Sequence, residues 1–213
     1  MRLIAVLLIG LGLTVGLAAC NQGGGAGGGG SASTPSEMSL GPANAKVTVI
    51  EYASLGCPIC ARFNNELFQS FKTKYIDSGK VHYVFREFLT GDAPVAAAGF
   101  LLAHCVGKDK YFQVVDSVFR QEADLLETDR GPEKRAALIE VAQSAGLTEA
   151  QFDACVTNDA ALKSLNDKVA GYAKTDSIDS TPTFVINGKK YDGPLDKLDE
   201  MSKVIDAALA AAK

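Results

Sequence analysis

Histidine is scarce in this 213-residue chain, where His82 and His104 stand apart from each other, and the Cys-X-X-Cys at Cys57 and Cys60 has no second copy. Both gaps leave little material for a zinc or copper module. The formal net charge is −4, and Lys and Arg are scattered rather than gathered in runs. No basic field is offered to nucleic acid. Internal repeats are lacking, and the one low-complexity tract lies at residues 21–36, made of Gly, Ser, Ala, Thr and Pro after Asn21 and Gln22, with almost nothing to bury.

Ahead of that tract, Arg2 precedes an apolar run over residues 3–19, too short and too close to the start to be taken first as a spanning helix. It reads as a signal peptide, residues 1–19. Its end, Leu17-Ala18-Ala19-Cys20, resembles a bacterial lipoprotein processing box, in which Cys20 becomes the first mature residue and carries the lipid. The alternative is ordinary cleavage after Ala19 with an incidental Cys20. Residues 20–36 then form a lipidated, flexible linker, and the expected location is the periplasm, tethered to a membrane through Cys20. Residues 37–213 have the length of one domain with a sizeable insertion. Of five cysteines, four remain for this domain, the even number that two disulfides in an exported chain require.

Within the domain, residues 47–53 (Val-Thr-Val-Ile-Glu-Tyr-Ala) and 80–88 (Lys-Val-His-Tyr-Val-Phe-Arg-Glu-Phe) mix β-branched and aromatic residues and read as strands. Between them Phe63, Leu67, Phe68, Phe71 and Tyr75 recur at helical steps. The unit is strand, helix, strand, with the strands parallel. Residues 93–173 keep helical spacing, broken near Gly107, at 129–132 and at 144–148, which gives four or five helices. Thr148 with Gln151 suits a capping box, and Pro132 a first helical turn. Strand signal returns at 183–187 and 190–192 as a hairpin around Gly188, followed by a helix with Leu198, Met201, Ile205 and Leu209 on one face. The segment before Val47 is expected to be tether alone.

Cys57-Pro58-Ile59-Cys60 thus falls at a strand-to-helix junction. With Pro58 opening the helix, Cys57 sits at its N-cap, where unpaired N–H groups and the helix dipole favour a thiolate. Cys60, one turn inside, is the buried resolving thiol. Neither Pro58 nor Ile59 supplies a cation to the thiolate, so the dithiol is expected to oxidise less strongly than the most oxidising proteins of this kind.

The Cys-X-X-Cys after the first strand, Thr181-Pro182 before the late strand, the Phe184-Val185-Ile186-Asn187-Gly188 that follows and the helical block between resemble the DsbA-like thiol-disulfide oxidoreductases. The resemblance covers residues 45–209. It implies an α/β, thioredoxin-like fold with the helical insertion (about 93–174) between the strand-helix-strand unit and the C-terminal strand pair, the core being about 45–92 and 175–213. It also implies a protein dithiol-disulfide oxidoreductase without cofactor or metal, donating disulfides to reduced exported proteins and reoxidised by a membrane quinone-linked partner. Pro58, Ile59, Thr181 and Pro182 become substrate-binding positions, and Glu51 handles the proton of Cys60. Cys105 and Cys155, fifty positions apart in the helical block, become a structural disulfide such as some relatives carry; a second reactive pair is the alternative. An isomerase of this fold would need an N-terminal dimerisation module, so a monomeric oxidase is favoured. Reductase or isomerase chemistry, or soft-metal binding by Cys57 and Cys60 in a lipoprotein, are the competing functions.

Overall fold

The computed structural model describes residues 37–127 and 130–212. The export segment, Cys20 and the linker lie outside the described residues. Among the described residues no helix is long and apolar enough to cross a membrane.

Two strands form the centre. Strands β2 (Val47–Ala53) and β3 (Val81–Glu87) run parallel, in register from Val47 opposite Val81 to Ala53 opposite Glu87. Both are buried along nearly their whole length, as parallel strands covered on two faces must be. Strand β4 (Thr183–Ile186) pairs antiparallel with β2, and the two-residue β5 (Lys189–Lys190) pairs with β4 across Asn187-Gly188, whose φ angles of 46° and 79° are those of a tight hairpin turn. This hairpin closes one residue earlier than the expected strand at 190–192. The other edge holds an element absent from the expectation: β1 (Met38–Leu40) pairs antiparallel with β3, so part of the supposed tether belongs to the sheet. The order is β1-β3-β2-β4-β5.

The link from β2 to β3 is one continuous helical run. It begins as α1 (Pro58–Arg62), winds as a π-helix over Phe63–Phe68, tightens at α2 (Gln69–Phe71) and widens again over Lys72–Ile76. Phe63, Phe71 and Tyr75 from this run meet Val49, Tyr83 and Phe184 of the sheet in the main apolar core. On the opposite sheet face Ile50, Tyr52, Val84 and Phe88 pack with Ile178 in a second core.

Between β3 and β4 the described residues form six helices rather than four or five: α3 (Ala93–Cys105), α4 (Lys108–Arg120), α5 (Glu122–Glu127), α6 (Gly131–Ser144), α7 (Glu149–Val156) and α8 (Asp159–Thr175). The extra breaks fall at Gln121 and at Asn158, whose side chain caps α8 by accepting from the Ala161 N–H. Thr148 and Gln151 form the expected capping box, and Pro132 lies in the first turn of α6. The chain ends in α9 (Leu198–Ala211), which buries Met201 and Ile205. This is a thioredoxin-like core with a helical insertion between the strand-helix-strand unit and the C-terminal strand pair.

Cys105 and Cys155 are joined, tying the end of α3 to α7 with Cα atoms 6.0 Å apart. His104 beside it is not isolated: with Tyr111 it hydrogen-bonds the buried Glu87 carboxylate. His82 is buried, and among the described residues neither ring nitrogen has a hydrogen-bond partner.

The disulfide closes a loop with a sequence separation of 50, and restraint of the unfolded chain on that scale is worth about 2–4 kcal/mol. Replacing both Cys105 and Cys155 by Ser is therefore expected to lower the free energy of unfolding in urea by that amount, with a matching fall in midpoint, while leaving the dithiol at Cys57 and Cys60 titratable. An unchanged midpoint would show that the bond contributes nothing to stability.

Candidate active site

Strand β2 ends at Ala53, and three residues later the chain enters α1 with Cys57 as N-cap, its backbone extended at φ −112° and ψ 115°. Pro58 occupies the first turn, where a missing N–H costs nothing and its ring presets the helical φ. The Cys57 carbonyl begins the helix by accepting from the Ala61 N–H at 3.1 Å. Cys57 and Cys60 are both free thiols, 7% and 0% exposed, while Pro58 and Ile59 project into solvent, Ile59 at 48%. An apolar lip therefore stands beside a nearly covered sulfur.

The two thiols are driven in opposite directions. The Cys57 thiol falls to about 5: the hydrogen bond from the Cys60 thiol lowers it most, burial opposes, and Thr181 together with the N–H groups of Cys60 and Ile59 lowers it further. Cys60 is pushed well above the ordinary thiol value, first by burial, then by its hydrogen bond to Cys57 and by the charges of Cys57 and Glu51.

Beneath them Glu51 is 2% exposed in the central strand. Burial raises its carboxyl to about 8 despite a 2.6 Å hydrogen bond from the Tyr83 hydroxyl, which pulls the other way; the charge of Cys57 adds to the rise. A cavity of about 20 Å³ borders Glu51, Tyr83, Asn64 and Asp116, enough for one water.

Three loops meet around the dithiol. The Thr181-Pro182 peptide is cis, and the Thr181 carbonyl lies 3.4 Å from Cys57 Sγ as its hydrogen-bond acceptor. The Thr181 hydroxyl meets the Thr90 hydroxyl at 2.5 Å. Ser54, fully buried, donates to the Thr90 carbonyl and accepts from the N–H groups of Thr90 and Gly56. The Asp92 N–H donates to the Gly56 carbonyl at 3.0 Å; Asp92 in turn caps α3 at Val95 and pairs with Lys134 of α6 at 2.5 Å. This fastens the helical insertion to the loop that carries Cys57.

The fold thus gathers Cys57, Cys60, Glu51, Pro58, Ile59, Thr181 and Pro182 at one end of β2, and sets the Cys105–Cys155 bond apart from them. Ser54, Thr90, Gly91, Tyr83 and the Asp92–Lys134 pair are members that sequence reasoning missed. Gly91-Asp92 ahead of Ala93-Pro94 carried a legible helix-start signal; Tyr83 carried none. Among the described residues no group of three His, Cys, Asp or Glu side chains is arranged to hold a metal.

The loop contact permits no side chain at Gly91, where φ is +65° and a Cβ would stand 1.8 Å from the Gly56 carbonyl oxygen. Gly188 has φ +79° with nothing within 4 Å of such a Cβ. Gly91→Ala is expected to cost well beyond the roughly 1–2 kcal/mol of left-handed strain alone, and Gly188→Ala only that strain. Equal losses in denaturant midpoint would show that the two loops separate freely.

Comparison with known proteins agrees with this geometry. The family model described as thioredoxin matches residues 33–207. A Rickettsia bellii protein assigned by name as a protein-disulfide oxidoreductase is 28% identical over 178 residues, covering 84% of this chain and 66% of that protein. A Rickettsia typhi protein assigned the same name is 30% identical over 174 residues, covering 82% of this chain and 62% of that protein. The chain therefore spans less than two thirds of either relative's length. Among solved structures, the crystal structure of alpha-DsbA1 from Wolbachia pipientis superposes with a TM-score of 0.77 at 26% identity, covering 85% of this chain and 95% of that one. Its likeness takes in the helical insertion as well as the sheet, and with a family match from residue 33 to residue 207 the chain belongs to the thioredoxin family, in its DsbA-like form.

Proposed function

We propose that this chain is a periplasmic thiol-disulfide oxidoreductase that donates the Cys57–Cys60 disulfide to reduced exported proteins. The observation that carries the reading is the opposed pair of thiols, with Cys57 held near pKa 5 and Cys60 raised well above the ordinary value on the same helical turn. A thiol of depressed pKa is the better leaving group, and stabilising it favours the reduced protein, which makes the disulfide form an oxidant.

In the oxidised protein a substrate thiolate attacks Cys57 Sγ. The new sulfur–sulfur bond joins substrate to Cys57, the Cys57–Cys60 bond breaks, and its electron pair passes to Cys60. With its carboxyl near 8, Glu51 is largely protonated at neutral pH and supplies the proton that Cys60 takes up. A second substrate thiolate then attacks the substrate sulfur of the mixed disulfide, and Cys57 leaves as the thiolate. The substrate has lost two electrons and the dithiol has gained them. The Thr181 carbonyl beside Cys57 and the exposed Pro58 and Ile59 form the rim on which an extended substrate segment lies, with Pro182 holding the loop.

The same reading covers the rest of the chain. Residues 1–19 direct export, Cys20 carries lipid, and residues 20–36 let a monomeric domain at 37–213 reach its substrates from a membrane. A quinone-linked membrane partner returns the dithiol to the disulfide. Nucleic acid plays no part.

Cys57→Ser is expected to reduce oxidation of a reduced, unfolded protein substrate to background, whereas Cys60→Ala keeps the Cys57 thiolate, which attacks a substrate that already carries a disulfide, releases one substrate thiolate and accumulates as a mixed disulfide visible on non-reducing gels. Capture by Cys60 in the Cys57→Ser variant, at the level seen for Cys57, would overturn the assignment.

A further inference from the structure

One carboxyl group near the dithiol has no part in the steps above. Glu122 opens α5 in the helical insertion and is only 7% exposed, and its Oε1 is buried with no hydrogen-bond partner among the described residues. A buried carboxylate left in this way is costly, and such a group calls for an explanation. Its helix packs on α1, the helix that Cys57 caps, whereas Glu51 belongs to the sheet.

The helices packed against α5 are α1, α4 and α6. On α1, Arg62 is exposed. On α4, Asp116 and Arg120 pair with each other. On α6, Glu133 pairs with Arg130, Lys134 with Asp92, and Arg135 with Glu149 and Asp153. On α5 itself, Asp124 is exposed. The charge that acts on Glu122 is that of Cys57: burial raises the Glu122 carboxyl most, and the Cys57 thiolate raises it further.

We propose that Glu122 is a positioning residue for the redox reaction, its buried carboxyl group taking up a proton when Cys57 leaves as a thiolate and giving it up when Cys57 enters a disulfide. The proposal rests on Cys57 being the reactive sulfur. Reduction of the disulfide then consumes two electrons and one proton at Cys60, and one further proton at Glu122; in the exchange with substrate, that proton comes from the second substrate thiol as its thiolate attacks. Where the medium is too alkaline for Glu122 to hold its proton, carboxylate and thiolate repel each other and the reduced form is penalised. The insertion thereby makes the oxidising strength of the dithiol fall as pH rises.

The test compares the full chain with Glu122→Gln, which keeps the shape and removes the charge, in equilibrium with glutathione across a pH series. The two profiles are expected to coincide at acid pH, where Glu122 is protonated in both redox states. They should then diverge until the variant favours the reduced protein about fivefold or more, the lower end of ordinary coupling between sites. Superposed profiles would overturn the proposal. The Glu122 carboxyl resonance of the unaltered chain gives a second readout, independent of how the variant folds: its titration midpoint should be higher in the reduced than in the oxidised protein, and equal midpoints would also overturn it. Failure of the functional reading looks different. A chain that does not oxidise reduced proteins, yet whose Glu122 midpoint moves between redox states, refutes disulfide donation and supports the coupling.

Discussion

Everything at this site depends on a sulfur set at the open end of a helix. The first turn of α1 leaves N–H groups without intrahelical partners, and the chain places Cys57 at the N-cap with a proline behind it, where the Cys60 thiol and those N–H groups lower its pKa. Cys60 lies on the same turn in a wholly buried position, where the same charge that is welcomed at Cys57 is disfavoured. A difference of three residues along one helix is thereby turned into a difference in the work each thiol can do.

Holding this arrangement is a matter of loops. Ser54, Gly56, Thr90, Gly91 and Thr181 belong to three connections that the fold brings to the same end of the sheet, and their contacts leave Cys57 facing the Thr181 carbonyl. The insertion is joined to them through Asp92 and Lys134. Glu51 and Tyr83, from adjacent parallel strands, form the floor.

Much of this was legible because its signals are local. The strand at 47–53, the proline-started helix and the capping box at Thr148 each lie within a few residues of sequence and appear where the pattern places them, and the hairpin around Gly188 does so to within one residue. What was hidden depends on distant partners. Met38–Leu40 carries no periodicity and becomes a strand only because β3 offers it a free edge. The contact of Gly56 with Gly91 joins residues that nothing in the sequence pairs. The burial of Glu51 could be suspected from its apolar neighbours, but its partner Tyr83 comes from the other side of a crossover. Similarly, Glu122 reads as an ordinary surface acid at a helix start until the fold packs α5 on α1, the helix that Cys57 caps.

A thiolate held in the folded protein makes its stability depend on redox state and pH together. In the reduced form the folded Cys57 thiol is near 5 against an ordinary value of 9.0, so the stabilising contribution is absent below about 5, grows through neutral pH and is complete above the unfolded value. The disulfide form has no such contribution. Equilibrium unfolding of both redox states over this pH range tests the account most directly: the reduced protein should be the more stable at neutral pH, with the gap closing as pH falls through about 5. An oxidised protein that is the more stable at neutral pH, or a gap that does not change with pH, would contradict a thiolate stabilised at Cys57.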